Sequence, residues 1–313
     1  MRAAAAAAEA GGGRPGRPMT QMTLHRPTAA GGPPLVLFVT PLVSRRYASD
    51  WEAVCRRTAV TLRSLANQTS GDWSVLLIGS ECPEVPQEAR GRVHFLELDL
   101  TIDDPARKGR REVDKERKLY WALRHLPEIR PRFILPMDYD DLVRADLVRT
   151  VGGLSGTADG ILLRSGYVYR DGERHVQYSR RIHTRTGTNY CLRYRPEDFP
   201  AGGGDFCDPP PDDYRECPAV SSHVKWPPGT FAASAAGPRR WRVLRPPSVV
   251  WRRNADSISN AYAGRGGAAS PWAARARRAA ASALFRRPLT DSLNAAFGCP
   301  AGTGFGLPLA GEA

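Results

Sequence analysis

From residue 35 onward, apolar runs alternate with amphipathic stretches, and this alternation predicts the elements. Leu35 to Val39 (LVLFV) is a short apolar run between prolines and Thr40-Pro41, which predicts a buried strand. Ser49-Asp50-Trp51-Glu52 pairs a hydroxyl with a carboxylate three residues on, the pattern of a capping box. Trp51, Val54, Cys55, Thr58, Leu62 and Leu65 then share one face at helical spacing. Thr69-Ser70-Gly71-Asp72 supplies the turn that closes this helix. Trp73 to Ile78 and Val93 to Leu98 read as two further buried strands. Asp114 to Leu126 reads as a helix with Leu119, Ala122, Leu123 and Leu126 on one stripe. Phe133 to Met137 is a fourth strand, and its Pro136 belongs among the last residues because proline donates nothing to a ladder. Leu142, Leu147, Val151 and Leu154 mark another helix. The order β-α-β-β-α-β-α predicts an α/β half.

After Gly160 the pattern changes. Ile161 to Tyr169 and Arg174 to Ser179 flank Asp171-Gly172, a hairpin signal. Pro196 to Pro218 is rich in Pro, Gly and Asp and reads as loop, and Arg242 to Trp251 reads as a last strand. Residues 1–33 and 261–313 are rich in Ala, Gly and Arg and read as tails, the first disordered, the second with a short basic helix from Pro271 to Arg287. The expected organisation is one domain over residues 34–260 between two tails.

Composition narrows this further. A chain of 313 residues can bury a substantial core without disulfide or metal staples. With 42% hydrophobic and 25% charged residues, global disorder is excluded. No stretch approaches the ~20 apolar residues of a membrane span, so the body is expected to fold in the cytoplasm. Cys55, Cys82, Cys191, Cys207, Cys217 and Cys299 form no C-x-x-C pair and are expected to be free thiols. The net charge is +13, of which residues 1–34 carry +3 and residues 262–313 carry +4. Charge in the tails suits an anionic membrane surface better than a groove that reads nucleic acid. No basic patch interleaved with aromatics is present, so nucleic acid is not an expected partner.

The chemistry concentrates at the end of the fourth strand. An α/β half followed by an antiparallel half places a ligand cleft at the carboxyl ends of the strands. Asp138, Asp140 and Asp141 emerge there. Three neighbouring carboxylates repel one another, and a cation relieves that repulsion. In extended backbone Asp138 and Asp140 point the same way, so the two are expected to share a Mn²⁺ or Mg²⁺ ion through hard oxygen ligands. Asp141 equally suits the N-cap of the next helix. Lys115 and Lys118, two of only four lysines, sit on the helix before this strand, where they either meet a phosphate or form a solvated face.

Arg57 to Ile78 (RTAVTLRSLANQTSGDWSVLLI), followed by FILPMDYDDLV, resembles the nucleotide-sugar glycosyltransferases of the GT-A fold, and most nearly the family 2-like rhamnosyltransferase group. The resemblance runs from about residue 35 to about residue 260. It implies a GT-A-like single domain: a Rossmann-like nucleotide-binding half plus an antiparallel, loop-rich acceptor half. It implies metal-dependent, inverting transfer of a sugar from a nucleotide-diphosphate donor to an acceptor hydroxyl, on a glycan or a lipid-linked carrier. Asp138 and Asp140 would hold the cation, with His223 as a third ligand. Thr40, Pro41 and Arg45 would face the nucleotide, and Lys115, Lys118, Asp138 and Arg252 (or Arg253) the donor phosphates. Asp213 would be the general base, chosen from a group with Asp205, Asp212 and Glu216, and Gly187-Thr188-Asn189 would shape the acceptor side. Where many family members have aspartates after the second strand, this chain has Ile78-Gly79-Ser80-Glu81, with Glu81 as the substitute. The helix 271–287 would lie on the inner membrane face. Two alternatives stay open: a nucleotidyltransferase, although Thr40 to Ala48 lacks the expected glycine-rich loop, and a non-catalytic GT-A-like interaction protein.

Overall fold

A computed structural model describes residues 23–27, 32–98, 100, 110–198, 239–253 and 285–307. The strands are β1 (Thr23–His25), β2 (Val36–Pro41), β3 (Trp73–Gly79), β4 (Val93–Glu97), β5 (Phe133–Pro136), β6 (Leu142–Val143), β7 (Gly160–Leu163), β8 (Gly166–Arg170), β9 (His175–Ser179), β10 (Tyr190–Arg193), β11 (Trp241–Leu244), β12 (Val249–Arg253) and β13 (Arg286–Pro288). The helices are α1 (Trp51–Ala66), α2 (Arg110–Leu123), α3 (Leu126–Ile129), α4 (Leu147–Leu154) and α5 (Asp291–Ala296). None of them is long and apolar enough to cross a membrane.

An eight-stranded sheet runs β1-β4-β3-β2-β5-β10-β7-β11. Its β4-β3-β2-β5 segment is parallel, and β10 runs antiparallel to both β5 and β7. Alternate residues of each central strand face opposite sides, and both sides are covered. Val36, Phe38, Val75 and Leu77 pack with Leu62 and Leu65 of α1 and with Val148 and Val151 of α4. Leu37, Val39, Leu76 and Ile78 pack with Leu119, Trp121 and Leu123 of α2. Burial on both faces is why these strands read as unbroken apolar runs. The architecture is the expected α/β one, a Rossmann-like parallel half joined to a second half that is mixed rather than purely antiparallel.

A second sheet runs β13-β9-β8-β12-β6. Each long strand expected from the sequence divides between the two sheets. β7 and β11 pair in parallel in the first, and their continuations β8 and β12 pair in parallel in the second. Gly166 permits the passage, since a Cβ there would collide with the Val249 carbonyl oxygen. The hairpin about Asp171-Gly172 forms between β8 and β9, with Gly172 at φ 83°.

Four boundaries differ from the sequence reading. Asp50, one residue after Ser49, is the N-cap of α1, accepting from the Ala53 N–H at 2.9 Å. Leu142 and Val143 pair with Val250 and Val249 as strand, so the next helix begins only at Leu147. The tail assigned to 1–33 contains β1, which pairs antiparallel with β4. The tail assigned to 261–313 contains residues 285–307, which close the second sheet. Phe297 and Phe305 are buried with Tyr169, Val250 and Val60, and Asn67 donates to the Gly298 carbonyl at 2.9 Å. Arg286 and Arg287, read as the end of a basic helix, pair as strand with Val176 and Gln177; residues 271–284 lie outside the described residues. Cys55, Cys82, Cys191 and Cys299 are free thiols, and Cys207 and Cys217 lie outside the described residues.

Two buried histidines make stability depend on pH. Burial, then the Arg26 charge, pushes His94 below its ordinary value. Burial also lowers His183, and the charges of Arg181 and Arg164 add to this against a hydrogen bond to the Arg164 carbonyl. A histidine with a lowered folded pKa binds its proton more weakly when folded. Its contribution is therefore intact above the unfolded value, about 6.5, and is lost as pH falls below it. The melting temperature is expected to be lower at about pH 5 than at about pH 7.5, and the gap to shrink in His94→Gln. An unchanged gap in that variant would assign the acid sensitivity elsewhere.

Candidate active site

In the parallel segment, the chain leaves β2 toward β3 on one side and returns to β5 on the other. The crevice at the carboxyl ends of β2 and β5 is therefore the topological switch point, where open α/β sheets bind ligands. Two loops meet there: Leu42 to Tyr47 after β2, and the turn Asp138 to Asp141 after β5, closed by the Asp141 N–H on the Asp138 carbonyl at 3.1 Å. Thr61 of α1 holds the turn from below, its hydroxyl 2.9 Å from the Tyr139 carbonyl and 3.1 Å from that of Asp141.

The three aspartates have different surroundings. Asp138 is partly exposed and forms an ion pair with Lys115 of α2. Its backbone N–H donates to Thr188 Oγ1 at 2.9 Å, and Thr186 Oγ1 lies 3.5 Å from its carboxylate. Asp140 is 7% exposed. Asp141 is fully buried, accepting from the Thr186 hydroxyl and, at 3.2 Å, from the Arg252 N–H. Burial raises its pKa well above the usual carboxylate range, and the charges of Asp138 and Asp140 raise it further. It does not cap a helix; Asp146 stands at the N-terminus of α4. For Lys115, burial opposes the charge, but Asp138, and behind it Asp141 and Asp140, outweigh burial and hold the ammonium above its ordinary value.

The segment 186–188 lies over this pair. A Cβ at Gly187 would come within 2.7 Å of Lys115 Nζ and 3.3 Å of both Asp138 carboxylate oxygens. The sequence reading placed Gly187-Thr188-Asn189 at the site. The structure brings Gly187 and Thr188 onto Asp138, while Asn189 is turned inward, donating to the carbonyls of His183 and Thr186 at 3.0 and 2.8 Å. Gly187→Ala must displace the lysine from the carboxylate. It is expected to weaken donor binding by about tenfold, while the melting temperature moves little because Nζ ends a flexible chain. Unchanged donor affinity would show that the Lys115–Asp138 contact is irrelevant to binding.

Other predicted residues divide. Thr40 and Pro41 end β2 at the crevice, and the buried Thr40 hydroxyl has no hydrogen-bond partner among the described residues. Arg45 and Glu81 meet across the mouth at 3.1 Å, joining the loops after β2 and β3. Lys118 is a correction. It is fully buried, and its ammonium donates to Leu42 O, Ser44 Oγ and Asp114 Oδ2 at 2.7, 2.8 and 2.8 Å. Its three hydrogens are spent on shaping the loop after β2, and none is left for a phosphate. Arg252 is a second correction. Fully buried, it donates through Nε and Nη2 to Asp171 at 3.1 and 2.8 Å, and Arg57 binds the other oxygen of Asp171 at 3.0 Å. It fastens the β8–β9 hairpin rather than facing a donor. Asp205, Asp212, Asp213, Glu216 and His223 lie outside the described residues. Sequence reasoning missed Thr186, whose hydroxyl bridges two of the aspartates; its one signal was the run Thr186-Gly187-Thr188.

No family model matches the chain, and no curated protein matches it. Among solved structures, the chain is similar to S. aureus TarS 1–349 in complex with UDP, at 13% identity and TM-score 0.40, over 73% of this chain and 62% of that one. A second structure of S. aureus TarS 1–349 matches at 11% identity and TM-score 0.35, over 69% and 60%. The structure of S. aureus TarS matches at 11% and 0.32, over 70% and 36%. The chain thus spans less than two thirds of the length of each of them.

The donor set can be tested against a divalent ion. Among the described residues no three His, Cys, Asp or Glu side chains group to hold a metal alone. A magnesium-like ion needs no such cage: one or two carboxylates suffice when waters and a substrate diphosphate complete the shell. Residues 138–141 form a turn, so the extended backbone expected to point Asp138 and Asp140 the same way is not found; what fits such an ion is the chemistry of the two carboxylates that the turn carries at the crevice. They do not form a closed metal centre.

Proposed function

We infer that this chain is a glycosyltransferase that moves a sugar from a nucleotide-diphosphate donor to an acceptor hydroxyl. The observation that supports this most is the Asp138–Asp141 turn at the switch point, joined to Lys115 and roofed by Gly187. The crevice offers the buried Thr40 hydroxyl and the Arg45–Glu81 bridge to a nucleotide, and the carboxylate turn to its diphosphate. Asp138 and Asp140 would hold a Mn²⁺ or Mg²⁺ ion, which when bound neutralises charge on the leaving diphosphate. Lys115 places a second positive charge beside the same phosphates, where negative charge develops during transfer. Inversion requires a carboxylate base on the acceptor side, and Asp213 is the proposed one. Rhamnose as the sugar, a glycan or lipid-linked acceptor, and contact of the basic residues 271–287 with the inner membrane face belong to the same reading.

A panel of nucleotide sugars tests it, with hydrolysis followed in the presence and absence of Mn²⁺. Release of nucleoside diphosphate from one donor is expected, along with Mn²⁺-dependent binding of UDP or another nucleoside diphosphate. Failure to bind any nucleoside diphosphate would overturn the reading. Binding without hydrolysis or transfer would favour a non-catalytic domain, in which the lysine permanently neutralises Asp138.

A further inference from the structure

The face beside the turn carries positive charge with little to balance it. Residues 159–198 and 239–253 contain fourteen arginines and five acids. Four of the acids are already engaged, Asp159 with Arg193, Arg195 and Arg240. Asp171 joins Arg57 and Arg252, Asp198 holds Arg239, and Glu173 lies 3.7 Å from Arg170. The folded half is therefore a source of positive field in its own right, apart from the tails.

The two sheet crossings draw several of these arginines together. The Arg164 N–H donates to Leu244 O at 3.2 Å, Ser165 donates to Arg245 O, and the Ile182 N–H donates to Arg164 O at 3.0 Å. Arg164, Arg245 and Arg181 thus come from adjoining backbone. The short turn Ile182–Thr184 continues to Arg185. All four side chains are exposed, and none makes a hydrogen bond or ion pair with the described residues. Their charges are felt nearby: Arg164 and Arg181 help to lower His183, and Arg170 and Arg185, after burial, lower Arg253. Arg185 directly precedes Thr186, whose hydroxyl meets Asp141 and Asp138. The belt begins one residue from the turn.

We propose that this belt guides an acceptor chain carrying repeated phosphate or carboxylate groups into the crevice. The inference rests on the glycosyltransferase reading and names the acceptor class for that same site. An uncommitted guanidinium presents a planar fork that matches such anions, and four along one flank favour a chain over a single anion. The positive flank also offsets the three aspartates, which would otherwise repel an anionic acceptor.

The test uses the full chain and long-chain inorganic polyphosphate as probe, with binding measured across a salt series. Arg164→Glu/Arg181→Glu/Arg185→Glu/Arg245→Glu is compared with Arg275→Glu/Arg277→Glu/Arg278→Glu. The corresponding four-glutamine variant guards against misfolding. The belt variants are expected to weaken polyphosphate binding at least about tenfold near 0.1 M salt and to flatten its salt dependence, while the control keeps most of the affinity. Equal loss in the control would overturn the proposal, as would binding to phosphatidylglycerol vesicles in place of polyphosphate. Donor hydrolysis is measured alongside. If hydrolysis persists and polyphosphate does not bind, only the acceptor class fails; if no donor is bound or hydrolysed, the enzyme reading fails as well.

Discussion

Asp140→Asn is expected to lower sugar transfer by about 10²-fold or more and to remove Mn²⁺-dependent donor binding, with the melting temperature unchanged or raised. The two parts of this result have one cause. The turn after β5 gathers three carboxylates beside the Lys115 ammonium, and the charge of Asp140 helps to push buried Asp141 above the usual carboxylate range. Removing that charge relieves repulsion in the folded state, so a residue kept for stability alone would not be chosen here. Asp138→Asn should lose transfer as severely for a different reason, because it also removes the partner of Lys115. Its thermal stability is expected to fall somewhat, since the half-buried ammonium then loses its nearest counter-charge and keeps only the weaker pull of Asp141 and Asp140. Isothermal titration of donor with and without Mn²⁺, beside thermal melts, separates the two variants. A large stability loss with normal donor binding in Asp140→Asn would make the acidic turn a structural feature.

The central strands were legible because burial on both faces leaves a continuous apolar signal, as in LVLFV and WSVLLI. The acidic turn was legible because its three aspartates follow that signal directly. β10 was missed because Tyr190–Arg193 is a four-residue strand between polar segments, too short to show a period. The Gly- and Ala-rich surroundings of 285–307 read as tail, yet buried Phe297 and Phe305 anchor the segment to the second sheet. Lys118 and Arg252 were misassigned for a shared reason. A cation i+4 from an aspartate, or at the end of a strand, looks the same in sequence whether it faces solvent, substrate or a buried carboxylate. The deciding partners, Ser44 for Lys118 and Asp171 for Arg252, are separated from them by 74 and 81 residues. The arginine belt was hidden in the same way, being gathered from residues 164–245 by two crossings between sheets.

Lys118→Met is expected to cost about 3–5 kcal/mol, a drop in melting temperature on the order of 10 °C. Lys118 and Asp114 lie one helical turn apart on α2, 0% and 1% exposed, with their charges 2.8 Å apart. The pair does more than neutralise itself. Lys118 also binds the Leu42 carbonyl and the Ser44 hydroxyl, while Asp114 accepts from the Ser44 hydroxyl and N–H at 3.0 and 3.3 Å. α2 is thereby tied to the loop that leads from β2 to Arg45. Methionine fills much of the volume but leaves the Asp114 carboxylate buried without a counter-charge and the Leu42 carbonyl without its donor. A buried ion left alone is costlier than the pair was favourable, so Asp114→Leu added to Lys118→Met should restore most of the stability. It should not restore donor binding, because the loop after β2 would still lack its tether to α2. Thermal melts and donor titrations on the single and double variants read both effects. A single variant within about 1 kcal/mol of the parent would mean that solvent reaches this pair and that the loop is held by other contacts.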